Sequence, residues 1–337
     1  MLRKTHRNKE TQTHKSIKLI MKIGLYRYNL PFINPIKLLD ETMESRSGLL
    51  IYKDGGWGEI CPLPGFSYET IDEAQDEALT YIHHLVSGTS YFPELPSVQH
   101  GVDCMNSKFE YSQEEYDKFP PNYTFLLGNP KEITYNWFKL IDNFPHTVKI
   151  KVGRHSLKEE LKMLKEICKK SPDVKMILDA NGLWTKEEAL SIMGFLNKEN
   201  IEYIEDPCNN LDDSDFVSQQ TGIPIALDQL LRFCPITDWG NFSNLKAVII
   251  KPSIIGGSMA CNAICEQAQL FNIKIVASSL FESQLGNYNI REIARKKLDR
   301  KAYHGLDTNK YFKYSVFKNN SFDVDFRMLS TIYEHED

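Results

Sequence analysis

Along the middle of the chain, apolar positions repeat with two alternating periods. Short runs rich in Val, Ile and Leu read as buried strands: Val148-Lys-Ile-Lys-Val152, Lys175-Met-Ile-Leu-Asp-Ala-Asn181, Ile201-Glu-Tyr-Ile-Glu-Asp-Pro207, Pro224-Ile-Ala-Leu-Asp228 and Ala247-Val-Ile-Ile-Lys-Pro252. Between them, stretches such as Ser156 to Ile167 place Leu157, Leu161, Leu164 and Ile167 on one stripe, which predicts an amphipathic helix. Strand and helix therefore alternate, and each strand ends in a charged residue at a spacing of about 25 residues, that of a (β/α) barrel unit. Asn122 to Leu127 is expected as the first barrel strand, Lys274 to Leu280 as the seventh and Ala302 to Thr308 as the last.

The pattern upstream differs. Ile23 to Tyr28 and Gly48 to Lys53 read as strands, and Thr70 to Val86 as a helix with acidic residues near its start. The predicted organisation is an α+β capping domain over 21–120, a (β/α) barrel over 121–308, and a tail, 309–337, that returns to the cap. The polar stretch 35–47 is expected to be a lid loop over the barrel mouth. Residues 1–20 carry Arg3, Lys4, Arg7, Lys9, Lys15 and Lys18 against one acid, Glu10, and read as a basic, disordered extension before a second start at Met21.

Charged residues at the C-terminal ends of parallel barrel strands converge on one face, where such barrels do their chemistry. Lys149 and Lys151 leave the same side of their strand because its side chains alternate. In isolation a K-x-K would be a solvated edge strand, and Glu205-Asp206-Pro207 and Asp179-Ala-Asn-Gly182 would be turns or caps. Their joint order points elsewhere. Asp179, Glu205 and Asp228 are hard oxygen donors without accompanying Cys or His, the donor set for a small cation such as Mg²⁺. Lys149, Lys151 and Lys251 would then face a substrate anion bound at the same rim, one of them serving as a base.

These residues resemble the enolase superfamily, in the branch related to muconate-lactonising enzymes: K-x-K, D-A-N, E-D-P, an Asp ending the next strand, then I-K-P. Gly55-Gly-Trp-Gly-Glu-Ile-Cys-Pro-Leu-Pro-Gly-Phe-Ser67, with Leu95 to Gly101, Glu282 to Gly286 and Gly305 to Thr308, is similar to segments of the o-succinylbenzoate synthase family of menaquinone biosynthesis. The resemblance runs from about Ile23 to the carboxyl terminus. It implies a modified (β/α)7β TIM-type barrel with an α+β cap, and a Mg²⁺-dependent dehydration of a cyclohexadiene carboxylate through an enediolate, with Mn²⁺ as a substitute metal. It also implies Lys151 as the base, Lys149 as its charged neighbour, Lys251 as an electrostatic stabiliser, and Asp179, Glu205 and Asp228 as metal ligands. Asn181, Ser278, Ser279, Gly305 and Leu306 are expected to contact substrate.

Three positions depart from the family pattern. Asp206 stands where many relatives have a second glutamate, Gln229-Leu230 replaces the usual Glu-Ser after Asp228, and Ile177 replaces a basic residue of some relatives. Two other readings compete: an N-succinylamino acid racemase or dipeptide epimerase of the same branch, and a catalytically silent binding protein of the same fold.

Composition narrows the partners. At 337 residues and 42% hydrophobic content the chain can bury a barrel and a smaller domain. A formal charge of −5 gives no general attraction to nucleic acid or anionic lipid, and no apolar run approaches the roughly 18 residues of a membrane span. Seven cysteines without metal spacing suit a reducing cytoplasm, and Cys61, Cys208, Cys261 and Cys265 are expected to be buried small residues. The partner is expected to be a small carboxylate, bound by a monomer.

Overall fold

Eleven strands among the described residues sort into two sheets. The computed structural model describes residues 21–38, 41–110, 123–126, 128–140, 147–298, 302–318 and 321–336. Its strands are β1 (Lys22–Leu38), β2 (Glu41–Lys53), β3 (Gly56–Ile60), β4 (Thr124–Leu126), β5 (Thr147–Lys151), β6 (Lys175–Asp179), β7 (Ile201–Glu205), β8 (Ile225–Leu227), β9 (Leu245–Ile250), β10 (Lys274–Ala277) and β11 (Leu329–Glu336). The first sheet has the order β11-β1-β2-β3 and is antiparallel. The second is parallel and seven-stranded, β4 through β10 in sequence order. The basic segment 1–20 lies outside the described residues.

The first sheet forms because its strands alternate. Ile23, Leu25, Leu49, Ile51 and Ile60 turn one face toward Ala74, Ala78, Ile82, Val98 and Val102 of the helices Ile71–Val86 and Pro96–Ser107. Thr70 caps the first helix through a reciprocal capping box with Glu73. The β2–β3 turn is Asp54-Gly55, both with positive φ (45° and 92°), as a tight hairpin requires. A Cβ at Gly58 would lie 1.8 Å from the Gly101 carbonyl oxygen, so glycine lets the second helix press against β3. Trp57 anchors the opposite face, with ring centroids 4.7 Å from Tyr52 and 5.9 Å from Tyr26. β11, from the C-terminal tail, pairs with β1.

In the second sheet, outward residues such as Val148, Ile150, Met176, Leu178 and Ile204 pack under helices. Ile177, Tyr203, Ala226, Ala247, Ile249 and Val276 fill the interior with Tyr123. The helix Leu157–Lys170 buries Met163, Leu164 and Ile167, as its stripe requires, with Leu157 and Leu161 at the margin.

Two sequence expectations need correction. The lid expected over 35–47 is largely strand: β1 and β2 pair from Pro31–Ser45 across a bulge to Ile36–Met43 and Leu38–Glu41. Backbone pairing outweighs the polar composition there, with Ile36 and Met43 packed beside a core cluster, and Arg46 is buried. The last barrel strand, expected over Ala302 to Thr308, shrinks to a Ser278–Gly305 bridge, flanked by hydrogen bonds from Gly305 N to Ala277 O and from Ser279 N to Gly305 O. The turn at Asp307 and Thr308 follows shortly after. Gly305 nevertheless meets the first strand, since a Cβ there would lie 2.1 Å from the Tyr123 hydroxyl. Cys61, Cys208 and Cys261 are buried as expected, whereas Cys265 is half-buried.

A buried polar network joins the two sheets. Glu59 on β3 accepts hydrogen bonds from the Tyr28 hydroxyl (2.7 Å), the Ser283 amide (2.9 Å), the Ser283 hydroxyl and the Gly286 amide (2.9 Å). It thereby caps the barrel helix Gln284–Lys297 from the neighbouring sheet. Arg46 donates to the carbonyls of Cys61 and Pro62 at 2.8 Å each and to Leu280 at 3.4 Å. Replacing Glu59 strands several buried donors, so Glu59→Ala should lower unfolding free energy by about 2–4 kcal/mol. Denaturant titration would detect it as a lower midpoint at unchanged slope, and a midpoint equal to the parent's would show that the network does not tie the sheets.

Candidate active site

The register of the parallel sheet sets the site. Lys151 is paired with Asp179 across β5 and β6, and Asp179 with Glu205 across β6 and β7, so three charged residues lie side by side at the strand C-termini. Asp228 and Lys251 follow immediately after β8 and β9 at the same end. The glycine-containing turns let the chain leave these strands sharply: Asn181 (φ 50°) and Gly182 (φ 71°) follow Asp179, and Gly153 (φ 80°) follows Lys151. Glu160 of the next helix accepts the Gly153, Arg154 and His155 amides at 3.0, 3.0 and 3.1 Å, which holds the end of β5 in place.

All six principal residues from the sequence reading meet here. Lys149 lies 2.9 Å from Asp179 and 2.5 Å from Glu205, and Lys151 lies 2.7 Å from the same Asp179 Oδ2. Lys251 pairs with Asp228, and Asn181 accepts from Lys151. Lys149 is the more enclosed of the β5 pair, with 7% of its side chain exposed against 18% for Lys151.

Electrostatics distinguishes the groups. Burial works against a charge on Lys149, but Asp179 and Glu205 overcome it and hold the ammonium well above its ordinary range. Burial also opposes a charged Asp179, yet Lys149 and Lys151 together keep it below the usual carboxylate range. Burial, reinforced by Asp179 and Asp228, pushes Glu205 up to about 8 despite Lys149. Burial and acidic neighbours thus oppose a charge on Glu205, whereas two lysines favour one on Asp179.

Among the described residues, no group of three or more His, Cys, Asp or Glu side chains is gathered as a finished metal cage. The donors nevertheless fit a hard cation. Asp179 Oδ1 and Glu205 Oε1 are buried without a hydrogen-bond partner, a costly state for carboxylate oxygens that a divalent ion would relieve.

The residues expected to contact a substrate tail divide. Ser278 is half-exposed beside Gly305, with its hydroxyl 3.2 Å from where a Gly305 Cβ would stand. Ser279 is buried, its hydroxyl 2.5 Å from Glu282 and 2.8 Å from Thr308. The Leu306 side chain lies in the outer core and its carbonyl accepts from Asn287 at 2.8 Å, so what it could offer a ligand is its backbone amide.

One neighbour, Tyr123, and one link, that made by Asp206, escaped the sequence reading. The Tyr123 ring centroid is 5.5 Å from the Lys149 ammonium, and period-2 alternation through the first strand could have assigned it inward. Asp206 accepts the amides of Asp228, Gln229 and Leu230 at 3.1, 2.6 and 3.3 Å. Nothing in local sequence announces that link, because its partners are more than twenty residues away.

Comparison with known proteins agrees with this arrangement. The family described as MenC, N-terminal domain, matches residues 20–109, and the enolase C-terminal domain-like family matches 139–321. The o-succinylbenzoate synthase of Salmonella dublin is 32% identical over 295 residues, covering 84% of this chain and 89% of that protein. That of Haemophilus influenzae is 32% identical over 314 residues, covering 88% and 92%. In fold, the chain is similar to o-succinylbenzoate synthase from Thermosynechococcus elongatus BP-1, a structure complexed with Mg in the active site (TM-score 0.70, 21% identity, 87% of this chain and 95% of that one). It is also similar to the L-Ala-D/L-Glu epimerase from Bacillus subtilis (TM-score 0.67, 20% identity, 89% and 92%). The modified barrel with its antiparallel cap is thus an enolase-type fold, and the chain belongs to the o-succinylbenzoate synthase family.

Proposed function

We propose that this chain is an o-succinylbenzoate synthase, a hydro-lyase that converts 2-succinyl-6-hydroxy-2,4-cyclohexadiene-1-carboxylate to 2-succinylbenzoate in menaquinone biosynthesis. The observation that carries the reading is the rim itself, where Lys149 and Lys151 share Asp179 while Lys251 pairs with Asp228 on the far strands. Family membership supplies the substrate.

The reaction takes a proton from the ring carbon bearing the carboxylate and a hydroxyl from its neighbour; one water leaves and the ring becomes aromatic. Mg²⁺ held by Asp179, Glu205 and Asp228, with Mn²⁺ as a substitute, would supply Lewis-acid polarisation of the substrate carboxylate. Lys151, the more open of the pair, is the base that accepts the carbon-bound proton and then delivers it to the departing hydroxyl. Lys149 stays charged between its carboxylates and opposes negative charge growing on the substrate carboxylate. Lys251 adds a second fixed positive charge from across the site, aimed at the enediolate. Ser278 and the Gly305 turn receive the succinyl tail, at the half-exposed end of β10. Among the described residues no helix is long and apolar enough to cross a membrane, and we assign the reaction to the reducing cytoplasm on the strength of its seven free thiols.

The decisive assay follows the ultraviolet change on aromatisation with purified protein, Mg²⁺ and the cyclohexadiene. Turnover should be seen; its absence, with inversion of an N-succinylamino acid in deuterium oxide instead, would move the chain to the racemases of the superfamily. Lys151→Ala should abolish dehydration while leaving the circular dichroism spectrum unchanged, and residual turnover near the parent's would remove Lys151 as base. Lys251→Ala should cost on the order of 100 to 1,000-fold in kcat, as for loss of a transition-state charge partner. Chelation should silence the parent and added Mg²⁺ or Mn²⁺ restore it, whereas activity that survives chelator dialysis would exclude the metal role.

A further inference from the structure

Asp206 is fully buried and adopts φ +40°, a left-handed conformation that non-glycine residues seldom take. Its contacts account for that geometry. The backbone N–H donates to Ala226 O at 3.0 Å, on β8, and the carbonyl accepts from Gly182 N at 2.7 Å, in the turn that follows Asp179. The carboxylate takes the three successive amides of Asp228, Gln229 and Leu230, two of them on Oδ2. One residue thus joins the turn beyond Asp179, the strand end carrying Glu205 and the turn carrying Asp228.

Those three segments carry the three acids assigned to the metal. Asp228 has its own backbone far from regular strand values (φ −114°, ψ −85°) and leads into a short 3₁₀ turn, Gln229–Phe233, so local structure alone does not set its direction. The Asp206 carboxylate does, through the Asp228 amide. Its two substitutions relative to the family pattern then make joint sense. An aspartate next to Glu205 meets the amides with one fewer methylene, and a neutral Gln229 keeps a further anion away from this buried carboxylate.

Resting on the functional reading above, we propose that Asp206 is a positioning residue that holds the three metal-binding acids in register, Asp228 above all, and so sets the affinity of the site for a divalent cation. It does not touch substrate. Outer-shell partners of this kind usually alter metal affinity by 10–100-fold when removed.

The test uses the full chain and Mn²⁺ as the probe, with free Mn²⁺ measured by electron paramagnetic resonance. Asp206→Asn keeps size and shape but turns an amide NH₂ or a weaker neutral acceptor toward the three N–H groups. It should raise the Mn²⁺ dissociation constant on the order of 10-fold or more. Parent-like Mn²⁺ affinity in Asp206→Asn overturns the proposal, and so does a loss that vanishes once binding is scaled to the folded fraction seen by circular dichroism. Asp228→Asn in the same titration separates the two levels of inference. If it too binds Mn²⁺ like the parent, the metal assignment itself is wrong; if it weakens binding while Asp206→Asn does not, only the positioning role is lost.

Discussion

The buried ammonium of Lys149, placed between Asp179 and Glu205, constrains the rest of the barrel. An ion taken out of water loses several kcal/mol of solvation, and attraction to neighbours compensates only when the geometry is good. Here it is good because three adjacent parallel strands bring their ends level, Lys151 opposite Asp179 and Asp179 opposite Glu205. A register slip of one residue would turn each of these side chains into the helical shell. The charged rim therefore depends on strand alignment, and alignment depends on the outward residues Val148, Ile150, Met176, Leu178 and Ile204 being held under the helices.

The cap contributes to the same end. Glu59 and Arg46, both buried, reach the Leu280–Gly286 segment, which continues directly from the end of β10. Glu282 in that segment accepts from Ser253 at 2.6 Å, two residues past Lys251, and from Ser279 at 2.5 Å. A connected run of hydrogen bonds thus passes from the antiparallel sheet to the strand ends around Lys251, Ser278 and Ser279. Such networks fix one arrangement when every member is satisfied.

The barrel and its charged strand ends could be read from sequence because their signals are local: period 2 in the strands, period 3.6 in the helices, and one charge closing each unit. Lys149, Lys151, Asp179, Glu205, Asp228 and Lys251 follow from that pattern, and they meet; Asn181, expected from the family resemblance alone, bonds Lys151. What could not be read is long-range. The stretch 35–47 has a loop's composition, yet it pairs as strand, Ile36 opposite Met43 beyond a bulge that follows Pro31. Among the described residues the eighth strand is reduced to the bridge residues His304 and Gly305, shortly before the turn at Asp307 and Thr308. Asp206 looks like an ordinary acid before a proline, and its importance lies in amides more than twenty residues away.

Charge balance explains why three lysines and four acids coexist at one rim. Asp179, Glu205, Asp206 and Asp228 formally outnumber Lys149, Lys151 and Lys251 by one, but burial and acidic neighbours push Glu205 up to about 8 and Asp206 up to about 7. Two of the three acids at the strand ends, Asp179 and Glu205, keep a buried oxygen without a partner. Unpartnered carboxylate oxygens of that kind are what a hard dication relieves, and the two β5 lysines differ around them: Lys149 lies between two acids, while Lys151 shares Asp179 and is more open to the site.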